Sequence, residues 1–253
     1  MTLQKALIIA PHPDDAEIFM GGTIAYLKSI NFHVTILDLT KGELSSRGNL
    51  EIREKEKTLA ASILSIDQRL CAELPDGGIQ SSPSQVISLV TILREHQPNI
   101  VFAPYAESRH PDHLNAHILS RDALFMANLK KYSDLKAQLP YSVGSIYWYM
   151  ARMEFNPSIL LDITAFKTIK EKAVNAYISQ LDPDSKESHE TLVGSSLSKH
   201  AIEARDAYYG SMAGVRYAEP FFHDSPILVS SGSIFLTKQN SNLRYIYPNN
   251  MVN

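Results

Sequence analysis

The sequence has a single cysteine, Cys71, so no internal disulfide can form. The segment RLCAEL around it reads as a short strand with a packed thiol, since no histidine lies near it in sequence to make it a nucleophile. Neither sign of charge dominates. The 24 Lys and Arg stand against 27 Asp and Glu, a formal net charge of −3. That balance gives no basic field for nucleic acid or an anionic membrane, and points instead to a small-molecule or protein partner. No apolar run approaches the ~20 residues that span a bilayer. The start, MTLQKALIIA, lacks both a long apolar signal region and a small-residue cleavage site, so the chain is expected to be cytoplasmic. No glycine-rich phosphate fingerprint is present either. Gly21 and Gly22 come too late, inside a predicted helix, and there they suit close packing.

With 44% hydrophobic and 20% charged residues over 253 positions, the chain can bury a substantial core. Apolar runs alternate with helical periodicity, the pattern of βαβ units and a mainly parallel sheet. Strands are predicted at KALIIA, at residues 33–39, 69–74 and NIVFAPY, then at SIYWYM, ILLDIT and near 226–236. Helices are predicted at 16–30, 50–66, 82–97 (with Ser82 as cap and Pro98 as stop), from Asp112 to about Lys131, at 165–181 and at 196–212. DPDSKESHETLVGSS reads as a polar, lid-like stretch. No repeat or linker stands out, so one domain over 1–253 with a C-terminal elaboration is expected.

The strand ALIIA runs into PHPDD, and the strand NIVFAPY runs into AESRHPDH. Both motifs fall at the carboxyl end of a parallel strand and before a helix, on the sheet edge where doubly wound folds build their sites. His12, Asp14, Asp15, Arg109, His110, Asp112 and His113 can therefore share one cleft. Zinc takes imidazole and carboxylate ligands, and a catalytic site holds it with three protein groups. Pro13 stiffens the turn so that His12 and Asp15 face one point, and His113 supplies the third ligand. Asp14 is left beside the ion as a general base.

PHPDDAE followed by GG, together with RHPDH after an apolar strand, resembles the LmbE-like (PIG-L) family of zinc-dependent N-deacetylases of N-acetylglucosamine conjugates. The similarity extends through residues 38–56, LPDGG, 102–113 and GVRYAEPF. These added stretches resemble most the branch that deacetylates N-acetylglucosaminyl-malate in bacillithiol biosynthesis. The resemblance implies a Rossmann-like three-layer sandwich with a mainly parallel sheet. It implies His12, Asp15 and His113 as ligands of one Zn2+, with other divalent metals such as iron or cobalt able to take the same ligands, Asp14 as base, His110 as second catalytic histidine and Asp112 as the residue orienting a ring. It also places Arg53 and Asp76 against the substrate sugar, and relatives of this kind often form trimers or hexamers. Arg109 suits a carboxylate-bearing aglycone through paired hydrogen bonds. Hydroxide attack on the acetamide, an oxyanion held by metal and His110, and proton return by Asp14 or His110 would complete the reaction.

Structural roles compete at several of these positions. Glu17 suits the first turn of a helix through the helix dipole. His117, four residues after His113, could join a metal pair but has no ligand role by resemblance. Arg53 could be a solvated salt-bridge partner, and Asp76 a turn former. The alternative functions are deacetylation of free N-acetylglucosamine or a chitooligosaccharide, a phosphoesterase with two metal ions, and a non-catalytic binding protein. A dinucleotide-binding protein is disfavoured, because acids stand where a pyrophosphate needs bare amides.

Overall fold

A computed structural model describes residues 3–132, 138–151, 153–181 and 196–225. Strands β1 (Lys5–Ala10), β2 (His33–Asp38), β3 (Gln68–Cys71), β4 (Ile100–Pro104), β5 (Ser145–Tyr149), β6 (Ile159–Asp162) and β7 (Ala218–Phe222) form one sheet in the order β3-β2-β1-β4-β5-β7-β6. β3, β2, β1, β4 and β5 pair in parallel, while β7 runs antiparallel to both β5 and β6. The strand alternation of β1 divides the core. Ala6, Ile8 and Ala10 face a layer containing α1 (Asp15–Ser29), α2 (Leu50–Ile63) and α5 (Lys167–Asn175), and Leu7 and Ile9 face α3 (Pro83–His96) and α4 (Pro111–Ala127). The result is the expected three-layer α/β sandwich. Among the described residues no helix is long and apolar enough to cross a membrane.

The helix starts follow local chemistry. Ser82 accepts from the Gln85 amide ahead of Pro83, Asn49 caps α2 through the Ile52 amide, and His110 caps α4 through Asp112 N–H ahead of Pro111. The end of α3 is a left-handed Gln97, before Pro98.

Four expectations need correction. α4 ends at Ala127 rather than near Lys131. The single helix expected at 165–181 is α5 and a short α6 (Ile178–Leu181), separated where the buried Tyr177 hydroxyl turns to donate to Glu17 Oε1. β7 lies at 218–222, where no strand was expected. Pro220 lowers its apparent strand propensity, yet the residue sits in the β6 pairing opposite Leu160. Glu17 is in the first turn of α1 as expected, but the helix dipole is not its main partner: it is fully buried and paired with Arg69 of β3 at 2.5 Å. The strand expected near 226–236 and the stretch at 182–195 lie outside the described residues.

α1 is kinked. Met20 has φ −145 and ψ 25, and the helix resumes at Gly21. A Cβ on Gly22 would lie 2.7 Å from Ile163 Cβ, which is why glycine stands there. The buried Glu219 carboxylate of β7 accepts from Gly22 N–H (3.0 Å), Thr23 N–H (2.7 Å) and the Thr23 hydroxyl (2.6 Å), satisfying amides at the resumed helix start. Lys170 (2.7 Å) neutralises that carboxylate and also binds Asp206 at 2.7 Å. This buried network ties the resumed part of α1, at Gly22 and Thr23, to β7 and α5.

Candidate metal centre and active site

β1 and β4 are sheet neighbours, with Ala6 opposite Ile100 and Ile8 opposite Phe102, although their sequence positions differ by almost a hundred. The crossover reverses direction between them, and the loops after both strands open into one cleft. That cleft, about 640 Å³, is lined by His12, Asp14, Asp15, Arg53, Asp76, Arg109, His110 and His113. All but one of the site residues expected from the sequence are therefore on its wall. Asp112 lies just behind, completely buried.

A single carboxylate oxygen organises the centre. Asp15 Oδ2 lies 3.2 Å from His12 Nδ1 and 3.1 Å from His113 Nε2, and it also accepts the His12 backbone N–H at 3.0 Å. Donor atoms bound tetrahedrally at about 2.0 to 2.1 Å stand about 3.3 Å apart, so the two distances from Asp15 Oδ2 match a zinc ligand set, and one donor atom from each of the three residues lies within 4.8 Å of the others. The other His12 nitrogen, Nε2, meets Asp112 Oδ2 and Asp76 Oδ1, each at 3.2 Å. A ligating histidine characteristically gives its second nitrogen to a carboxylate in this way. His113 Nδ1 is buried and has no hydrogen-bond partner among the described residues, leaving that imidazole a nitrogen the protein does not satisfy. The carboxylates of Asp15, Asp76 and Asp112 gather about His12, and Asp15 also meets His113, so the residues fit a divalent cation.

A second donor trio, His12, His110 and Asp112, is geometrically possible. It fits less well, because Asp112 already accepts from Gly77 N–H (2.7 Å) and Ile79 N–H (3.3 Å), and His110 Nδ1 accepts from Asp112 N–H at 3.2 Å. Asp112 thus orients two rings, His12 through its carboxylate and His110 through its amide. With Nδ1 as acceptor, His110 carries its proton on Nε2. Burial, with His12 and His113 adding to it, keeps His110 below the ordinary histidine value, so the ring is a neutral N–H donor.

Burial alone would lower the His12 imidazole, but hydrogen bonds to Asp112, Asp15 and Asp76 outweigh it and push it up to about 12. The site thus holds a proton where the chemistry favours a metal cation. Burial would raise Asp15, yet His113 and His12 hold it well below the usual carboxylate range. The His12 hydrogen bond brings Asp76 down to about 2. Asp14 goes the other way. Burial raises it to about 7 against the opposing pull of Arg53, whose Nη2 is 4.0 Å away.

Asp14 has φ 126, an unusual backbone for a residue with a side chain, and stands just before α1. It belongs to neither candidate donor trio. Arg53 is buried rather than solvated, donating to Pro13 O (2.7 Å) and Gly42 O (3.3 Å), so it braces the HPDD turn from behind. Asp76 accepts from Leu44 N–H at 2.8 Å and ties the 41–49 loop to the site. Arg109 is exposed at the rim and has no charged partner among the described residues. His117 turns away, with Nδ1 3.0 Å from Pro104 O and its ring against Trp148. Cys71 packs with its thiol 3.6 Å from Thr40 O.

Several wall residues had no assigned role in the sequence reading. These are Ile18, Leu44, Ser45, Ser46, Gly77 and Gln180. Gln180 comes from the short α6 and bonds Arg47 O (2.8 Å) and Ser45 Oγ (2.9 Å). No local pattern marks it, since its function depends on a fold-back of about 135 residues.

A family model described as PIG-L, GlcNAc-PI de-N-acetylase, matches residues 7–124, which contain both motifs. Diacetylchitobiose deacetylase of Thermococcus kodakarensis is 31% identical over 230 residues, covering 86% of this chain and 82% of that protein. A 1D-myo-inositol 2-acetamido-2-deoxy-alpha-D-glucopyranoside deacetylase of Rhodococcus erythropolis is 27% identical over 57% of this chain and 60% of its own length. The crystal structure of a conserved protein from Thermus thermophilus superposes with a TM-score of 0.81 at 39% identity, covering 90% of this chain and 97% of that one.

Proposed function

The chain belongs to the PIG-L (LmbE-like) family, and on that premise we propose that it is a zinc-dependent hydrolase that removes the acetyl group from an N-acetylglucosamine conjugate. The observation that carries this reading is the Asp15 oxygen shared by His12 and His113, with Asp14 buried beside it and outside the donor set. A divalent ion held by His12, Asp15 and His113 would supply Lewis acidity to the acetamide carbonyl and to the attacking water.

The chain's own groups perform the remaining steps. Asp14 accepts a proton from the attacking water as the new C–O bond forms. His110 donates its Nε2 proton in a hydrogen bond to the carbonyl oxygen as that oxygen gains negative charge. As the C–N bond breaks, the proton on Asp14 passes to the departing nitrogen, leaving acetate and a free amine. Arg53 keeps the HPDD turn in place and, with Asp76, faces the sugar. The rim guanidinium of Arg109 offers paired donors to a carboxylate on the aglycone, which supports a malate conjugate of the bacillithiol route. A second glucosamine unit is the other aglycone reading, favoured by similarity to the diacetylchitobiose deacetylase.

A phosphoesterase with two ions is disfavoured. The two donor trios found among the described residues share His12, and the carboxylate of the second is committed to two backbone amides. Primary-amine release from N-acetylglucosaminyl-malate, N,N'-diacetylchitobiose and N-acetylglucosamine by the zinc-loaded protein tests the reading. Acetate and amine in equal amounts are expected from at least one substrate. Turnover of a phosphoester with none of the acetamides would overturn it.

A further inference from the structure

A second cavity, of about 420 Å³, opens beside the active site. The loop after β4 lines both spaces: Tyr105 and Glu107 line this cavity, Arg109 and His110 the catalytic cleft. Glu107 and Arg109 are two residues apart, so their Cα atoms lie within about 7 Å of each other. The two spaces are therefore neighbours along one edge of the sheet.

The walls are aromatic and held in place. Tyr105 stacks on Phe155 with centroids 4.5 Å apart, and Phe222 meets Tyr105 edge-on at 5.3 Å. Tyr208, 52% exposed, stands edge-on to the buried Tyr209 at 5.1 Å. Glu107 and Glu154 bring exposed carboxylates to the lining, and neither has a hydrogen-bonded or ion-paired partner among the described residues. None of these groups takes part in the deacetylation steps derived above. Aromatic faces complement the apolar face of a sugar ring, and carboxylates without an ion-paired partner among the described residues complement hydroxyl groups and, most strongly, an ammonium group.

We propose that this cavity is a second saccharide subsite that takes a glucosamine ring bearing a free, protonated amine. The proposal rests on the N-acetylglucosaminide reading of the catalytic cleft and names a substrate class for it: a partly deacetylated glucosamine oligomer. An acetamide unit enters the cleft while a neighbouring unit, already an amine, lies against Tyr105, Tyr208, Glu107 and Glu154. Each turnover on such a chain creates the cationic group this cavity prefers.

The test is calorimetric titration of the full-length, zinc-loaded protein with the glucosamine disaccharide, comparing wild type with Glu154→Gln and Tyr208→Ala. Both substitutions are at exposed positions, and circular dichroism checks that the variants are folded. Affinity for the disaccharide should fall about tenfold in each variant. In turnover, KM for the mono-deacetylated disaccharide should rise by the same factor while kcat/KM for N-acetylglucosamine is unchanged. Equal affinity in variants and wild type overturns the subsite, whether or not acetamides are turned over. If no N-acetyl sugar is deacetylated but the variants still weaken amine binding, the cavity stands as an amino-sugar site and the catalytic reading fails.

Discussion

Replacing Asp14 by Asn removes the base with little change in shape. The side chain is nearly isosteric, and Asn tolerates the positive φ of 126 better than most residues, so the HPDD turn should persist. Arg53 loses a carboxylate 4.0 Å away but keeps its bonds to Pro13 O and Gly42 O. Removing the carboxylate beside a buried guanidinium costs up to about 3 to 5 kcal/mol, and the retained bonds of Arg53 to Pro13 O and Gly42 O offset part of that, so the variant should be folded but less stable than wild type. The donor set of His12, Asp15 and His113 is untouched, so metal content should stay at the wild-type value. Loss of a positioned general base costs about 10²- to 10⁴-fold in rate, a barrier increase of about 3 to 5 kcal/mol. Amine release per bound zinc, measured beside a denaturant melt, reads all three quantities. Turnover within about threefold of wild type at full metal content would refute the assignment, since no barrier change of that small size is compatible with a lost base.

Other consequences follow from particular contacts. His110→Asn retains a side-chain oxygen to cap α4 but removes the Nε2 donor, so kcat should fall about 10²- to 10³-fold with zinc retained; steady-state kinetics with metal analysis checks this. Gly22→Ala places a methyl 2.7 Å from Ile163 Cβ and should cost about 1 to 3 kcal/mol in urea unfolding. Asp206 is held down at about 2, against 3.8 ordinarily: burial would raise it, but Arg205, Lys170 and Lys167 outweigh that. Its folded value is the depressed one, so its contribution is complete above pH 3.8 and is lost as pH falls towards 2. Acid unfolding followed by circular dichroism should therefore be less steep in that window for Asp206→Asn than for wild type.

The alternating elements were legible because their signals are local. The apolar run at 6–10, the Ser82–Pro83 start and the Asn49 cap each declare an element within a few residues. The catalytic edge was legible for a different reason, since two acid- and histidine-bearing turns follow two parallel strands and parallel strands end on the same side. What stayed hidden depends on partners far along the chain. Glu17 looks like a helix-start acid until Arg69, from β3, is brought against it. Gln180 and Ser45 look ordinary until α6 folds back onto the 41–49 loop. The kink in α1 is marked only by Gly21 and Gly22, and its cap, Glu219, arrives on a strand that Pro220 disguises.

Anomalous diffraction from crystals grown with zinc addresses the metal centre most directly. The account predicts one peak per chain, bounded by His12 Nδ1, Asp15 Oδ2 and His113 Nε2, with Asp14 outside the coordination sphere. A peak held instead by His110 and Asp112, or no peak in the cleft at saturating zinc, would contradict it.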